Sequence, residues 1–131
     1  MKEYTVFDST GRVLRAGLCA PGDLPLQARS GEFVLEGQAN DVLHYVVDGA
    51  VMPRPVMPIM FDNATVPADG ASTVTFTGVP AGANARVSGP AIDAFTVPDG
   101  VVVMTFDAPG AYVVGIEKFP YRDFEVVINA T

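Results

Sequence analysis

The chain has 131 residues, 49% of them hydrophobic, which is enough for a packed core and argues against a disordered tail. Its formal charge is -7, and the acidic excess is shared by both halves of the chain, so no basic patch survives to neutralise nucleic acid or an anionic membrane surface. The single cysteine, Cys19, excludes an intrachain disulfide and fits folding by packing alone in a reducing cytoplasm.

Eleven prolines and thirteen glycines among many Val and Thr leave hardly any helix-length stretch unbroken, and the expected class is all-β. The first element is a hairpin, "YTVFDSTGRVLRAG", with apolar residues on both arms and Asp8, Ser9, Thr10 and Gly11 as its turn. An irregular connection from Cys19 to Glu32 has room for one short helical turn near Leu24 to Ala28. "EFVLEG" and "HYVVDGAVM" supply three more short strands, the last two joined at Asp48-Gly49, a dipeptide typical of a type I′ turn. Up to Met52 this reads as a compact β-hairpin and meander module, a docking or assembly element over residues 1–52.

Pro53, Pro55 and Pro58 cannot donate ladder hydrogen bonds and bias their neighbours to extended backbone, so residues 53–58 are expected to be a stiff joint. That joint permits either one rigid body or two. Residues 59–131 then become regular, with strands expected at 59–66, 72–77, 83–88, 94–97, 101–106, 111–118 and 123–130. In the last of these Phe124, Val126, Ile128 and Ala130 share one face, as Tyr112, Val114 and Ile116 do in the strand before. About seven strands at this spacing predict an immunoglobulin-like β-sandwich. "FDAPGAYVV" adds a likeness to the tyrosine corner, with Tyr112 turned to bond backbone upstream, although the disulfide and Trp of antibody domains are absent.

Chemistry is sparse. Catalysis requires a base near a nucleophile or a bound metal, and the chain has one histidine and one cysteine. His44, at a strand start, reads as an ordinary surface or half-buried imidazole, and Cys19 as a small apolar filler. Asp8, Asp48, Asp69, Asp99 and Asp107 fall at turns, where Asp is favoured for its local hydrogen bonds. "FDNATVPADG" offers oxygen ligands to calcium without the order of an EF-hand loop. No catalytic residue, metal ligand or cofactor is therefore expected. The N-terminus lacks the apolar core of a signal peptide and no apolar run reaches membrane-spanning length, so the Asn-x-Thr triplets at Asn63 and Asn129 read as chance strand-edge sequence. The sharpest surface feature is "EKFPYRDFE", which sets Phe119, Pro120, Tyr121 and Arg122 at a hairpin tip. Aromatics and Arg dominate contact hot spots, so this is a candidate interface; the alternative is that Phe119 or Tyr121 folds back to lid the sandwich.

"GRVLRAGLCAPGDLPLQA", followed by "EFVLEGQANDVLHYVVDGAVMPRP" with its "VLEG" strand, His-Tyr-Val segment, "DG" and proline-bearing exit, resembles a pattern in small structural proteins of tailed bacteriophages. The later "VPADGASTVTFTGVPAGANARVSGP", "PGAYVV" and "KFPYRDFEVVINA" are similar to immunoglobulin-like parts of such proteins. The resemblance covers most of the chain. It implies a non-enzymatic virion component, a tail, tail-fibre-associated or decoration protein, made in the host bacterial cytoplasm. Its partners would be other virion proteins and copies of itself. A carbohydrate-binding or adhesion module on the same fold, meeting a host-surface glycan, is the alternative.

Overall fold

In the computed structural model, which describes residues 1–131, the chain is all-β apart from one short 3-10 helix and divides into two compact units, Met1–Pro55 and Val56–Thr131. No helix is long and apolar enough to cross a membrane. The division falls inside the expected joint.

In the first unit β1 (Lys2–Asp8) pairs antiparallel with β2 (Val13–Cys19) on one side and with β3 (Glu32–Glu36) on the other, giving the order β2-β1-β3. The β1–β2 turn closes as its residues dictate. Asp8 Oδ1 accepts the N–H groups of Thr10 and Arg12 at 2.9 and 3.1 Å, and Gly11 takes the positive φ of 88° that a side chain would resist. A meander would set β3 beside β2, and the observed order differs for an identifiable reason. The connection forms a 3-10 helix over Pro21–Gln27, where Pro21 enters at the start without disturbing a bond, and Arg15 of β2 ties this helix and β3 together. The Arg15 guanidinium donates to the Gln27 carbonyl at 2.6 Å and to Glu32 Oε1 at 2.7 Å, reaching across β1.

The second hairpin of this unit joins β4 (His44–Val47) to β5 (Ala50–Pro53) through Asp48 and Gly49, whose φ values of 51° and 76° give the type I′ geometry expected of that dipeptide. Pro53 is not connector but the last residue of β5, opposite His44. Arg54 then folds inward, its N–H donating to the Leu43 carbonyl at 2.7 Å and its guanidinium to the Asp41 carbonyl at 2.8 Å. The joint therefore begins later than the prolines imply.

The second unit sets two sheets around one core. The larger has the order β10-β9-β12-β13-β7, from β7 (Thr65–Val66), β9 (Ala83–Ser88), β10 (Asp93–Val97), β12 (Gly110–Glu117) and β13 (Phe124–Ala130). The smaller, β11-β8-β6, comprises β6 (Met60–Phe61), β8 (Thr73–Thr77) and β11 (Val102–Thr105). Alternation places Val74 and Phe76 of β8, Val114 and Ile116 of β12 and Ile128 of β13 in the core, fully buried. The single strand expected over residues 59–66 is instead two short ones on different sheets. β6 pairs with β8, and β7 runs parallel to the end of β13. Asp62 makes the change of sheet possible: its carboxylate accepts the Thr75 N–H at 2.9 Å, which holds the first piece while residues 63–64 cross over.

Candidate interaction surfaces

Of the turn aspartates, Asp8, Asp69 and Asp99 accept backbone N–H groups of their own turns. Asp69 Oδ1 accepts the N–H groups of Ala71 and Ser72 at 2.9 and 2.6 Å while Oδ2 accepts the Ser72 hydroxyl at 2.7 Å. These bonds, led by that from the Ser72 N–H, hold its carboxyl down at about 2. Asp62 bonds Thr75 of β8 while Asp69 closes its own turn, so the two carboxylates of "FDNATVPADG" serve separate places, and no three His, Cys, Asp or Glu side chains come together as a metal-holding group. His44 Nδ1 accepts the Asn40 N–H at 3.0 Å, which closes a local loop, and Cys19 is buried at the end of β2.

The tip between β12 and β13 brings the four candidate residues together in sequence but not in environment. The turn closes through the Tyr121 N–H, which donates to the Lys118 carbonyl at 2.7 Å, across a cis Phe119-Pro120 bond. Tyr121 is half-buried and packs against the core, Phe119 and Pro120 are half-buried, and Arg122 is exposed. Tyr121 thus contributes to the lid of the sandwich, and the outward chemistry of the tip lies with Arg122.

Tyr112 performs the corner role anticipated for it: its hydroxyl donates to the Ala108 carbonyl at 2.8 Å and its ring lies 4.5 Å from that of Phe106. Together these rings, with Phe95 and Met104, line a cleft of about 310 Å³ between β10 and β11, and Asp93 and Asp107 also reach it. Sequence reading does not find this cleft, because its residues come from four segments whose only local signal is strand alternation.

The first unit presents the more unusual surface. It buries four apolar residues, Val6, Val13, Cys19 and Val46, and leaves Leu14, Leu18, Leu26, Phe33, Val42 and Met52 exposed. Phe33 is half exposed even though its ring stacks on Phe7 at 5.6 Å. Arg15 and Glu32 stiffen the covered face of the sheet. The ion pair, through its hydrogen bond first and the Arg29 N–H second, lowers the Glu32 pKa below its ordinary range. What sequence reading missed here is Arg54, one of two polar residues counted as buried; its neighbours in "MPRPVMP" gave no sign that it would turn inward.

No known family pattern matches the chain, and no curated protein does. Among solved structures, a glycosyl hydrolase family 2 member from Bacteroides cellulosilyticus aligns with 98% of this chain at 13% identity and a TM-score of 0.42. The chain spans 21% of the length of that protein.

Proposed function

We propose that this is a non-enzymatic structural protein that acts by assembly, in the setting the sequence resemblance implies: the virion of a tailed bacteriophage, at its tail or tail fibres, after synthesis in the host cytoplasm. The observation that carries this reading is the surface of the first unit, where exposed large apolar side chains outnumber buried ones. Large exposed apolar patches mark interaction sites, because leaving such side chains in water forgoes the transfer free energy that burial against a partner recovers. The second unit supports a body for display or attachment. Its strand order, its first strand divided between the sheets and the Tyr112–Ala108 corner favour an immunoglobulin-like assignment, a fold that hosts many functions and by itself selects none.

Mass spectrometry of purified, washed particles tests the proposal. The chain is expected among the particle proteins in fixed ratio to the other tail components. Its absence from particles, combined with glycan-array binding by the isolated chain, would replace the assembly reading with the adhesion module.

A further inference from the structure

The second unit leaves one sheet edge open beside a cleft. β11 is the outer strand of the smaller sheet and pairs only with β8, in an unshifted register from Val102 opposite Phe76 to Thr105 opposite Thr73. Bonds at either end of that ladder fix which backbone groups it uses. The Val79 N–H donates to the Gly100 carbonyl at 3.1 Å and the Gly70 N–H to the Phe106 carbonyl at 2.8 Å, so the even-numbered residues turn their backbone to the β8 side. Backbone direction alternates along a strand, and the N–H and C=O groups of Val103 and Thr105 therefore point to the open edge. Proteins blunt such edges with proline, charge or bulges, and Val102–Thr105 has none of these. The outer strand of the larger sheet, β10, is blunted. The Gly82 N–H donates to the Val97 carbonyl at 2.7 Å, which leaves Ala94 and Thr96 facing outward, and the Ala94 N–H is already taken by Asp93 Oδ1 at 2.8 Å.

We propose that the β11 edge accepts an extended segment of a partner protein, and that this segment carries an arginine or lysine into the cleft of about 310 Å³ between β10 and β11. The inference rests on the reading that the chain works through protein contacts, and it holds outside a virion as well as in one. The backbone of Val103 and Thr105 supplies the pairing, as in other cases where a peptide adds a strand to a sheet. Side chains directly opposite on paired strands share a face, so the residue opposite Met104 points, like Met104, into the sandwich and enters the cleft. Charge selects what that residue is. Asp93 and Asp107 line the cleft, no Lys, Arg or His does, and neither carboxylate is held in an ion pair. The rings of Phe95, Phe106 and Tyr112 suit the apolar stem and the cationic face of an arginine, while the two carboxylates suit its N–H groups. An acidic segment would meet these carboxylates on a chain that already carries a formal charge of -7.

The test titrates the full chain with a short blocked peptide in which threonine alternates with valine and arginine takes the central valine position. Its counterpart has glutamate at the centre. By NMR the arginine peptide is expected to bind roughly tenfold tighter than the glutamate one and to slow amide exchange at Val103 and Thr105, while the Met104 amide, already facing β8, changes little. Asp93→Asn with Asp107→Asn should weaken the arginine peptide roughly tenfold, and Asn at 93 keeps an oxygen for the Ala94 N–H. Val103→Pro deletes an outward N–H without touching the β8 ladder and should abolish binding. No binding of the arginine peptide, equal affinity for both peptides, or new protection elsewhere than Val103 and Thr105 overturns the proposal; if a variant misfolds, the wild-type exchange pattern decides. Two other occupants are read in the same experiment. Binding of N-acetyl-arginine amide as tight as that of the peptide would show that the edge takes no part, and protection of Val103 and Thr105 that rises with protein concentration alone would give the edge to a second copy; either overturns the proposal. A chain that passes these tests and is absent from particles would overturn the virion reading alone, and one that fails them and is found in particles would overturn the strand pairing alone.

Discussion

The two units bury their apolar residues on different scales. Val56–Thr131 encloses seventeen hydrophobic residues in one continuous cluster, drawn from both of its sheets, whereas Met1–Pro55 buries four. Small domains are hard to stabilise because little of their surface can be removed from water. The first unit compensates with polar devices: the Arg15–Glu32 pair, the inward Arg54, and the buried Thr5, whose hydroxyl donates to the Gly37 carbonyl at 2.8 Å and accepts the Ala39 N–H at 3.0 Å. Such bonds fix geometry, yet each contributes only about 0.5–1.5 kcal/mol net, less than a well-buried large side chain. The difference teaches that one unit is held by its core and the other by its turns, clamps and, on our proposal, its partner.

The sharpest way to break that contrast is to remove core from the second unit. Phe76 is fully buried, edge-on to Phe124 with centroids 6.5 Å apart and tilted against Phe61 at 5.7 Å. Phe76→Ala should cost about 3–5 kcal/mol, read as a lowered denaturant midpoint for the transition of this unit. Leu26→Ser in the first unit removes an apolar side chain that is already three-quarters exposed and should stay within about 0.5 kcal/mol. Equal effects would show that burial does not separate the units.

The first unit should instead be sensitive at its turns. Gly11 combines a φ of 88° with a close approach in which an added Cβ would overlap the Val46 carbonyl oxygen. Its own carbonyl accepts the Val46 N–H at 2.8 Å, tying the β1–β2 turn to β4. Gly11→Ala therefore strains the backbone and displaces that bond, a loss of about 2–3 kcal/mol in a unit with little to spare. Hydrogen exchange should show β1, β2 and β4 losing protection, and an unchanged exchange pattern would refute this account of the turn.

Much of this was legible in the sequence where a local rule decides the structure. Gly11 and Asp48-Gly49 announced their turns because few residues accept positive φ, and alternation over Phe124 to Ala130 identified the core face because the strand period is two. Long-range partnership was not legible. The order β2-β1-β3 depends on Arg15 reaching Glu32 and Gln27, seventeen and twelve residues away, and the split of residues 59–66 depends on Asp62 meeting Thr75. At the tip, "FPYR" carried a composition typical of interfaces, but composition does not say which way a ring points, and Tyr121 points toward the core.

Acid should separate the units more gently. In the first, Glu32 lies below its ordinary 4.5, chiefly through its bond from Arg15, and for Asp8 desolvation is the largest single influence and pushes the carboxyl up, but the bonds from Thr10 and Arg12 with the Arg12 charge together outweigh it and hold the group below its ordinary 3.8. In the second, Asp69 is held at about 2 by the Ser72 and Ala71 bonds. A carboxyl depressed in the folded state contributes stability that is complete above its unfolded pKa. That contribution falls away as pH drops through the interval down to the folded pKa. Glu32 thus begins to lose its contribution near pH 4.5, whereas Asp69 keeps its own until about 3.8 and sheds the last of it only near 2. All three groups are solvent-accessible, so salt and water screen them and the effects should be small. The expected result is a weakening of the first unit that starts at higher pH than in the second, followed by hydrogen exchange on β1–β3 against β8–β13 between pH 5 and 2.5. Glu32→Gln should flatten the upper part of that slope in the first unit alone; an unaltered slope would show that the Arg15–Glu32 pair is not what titrates there.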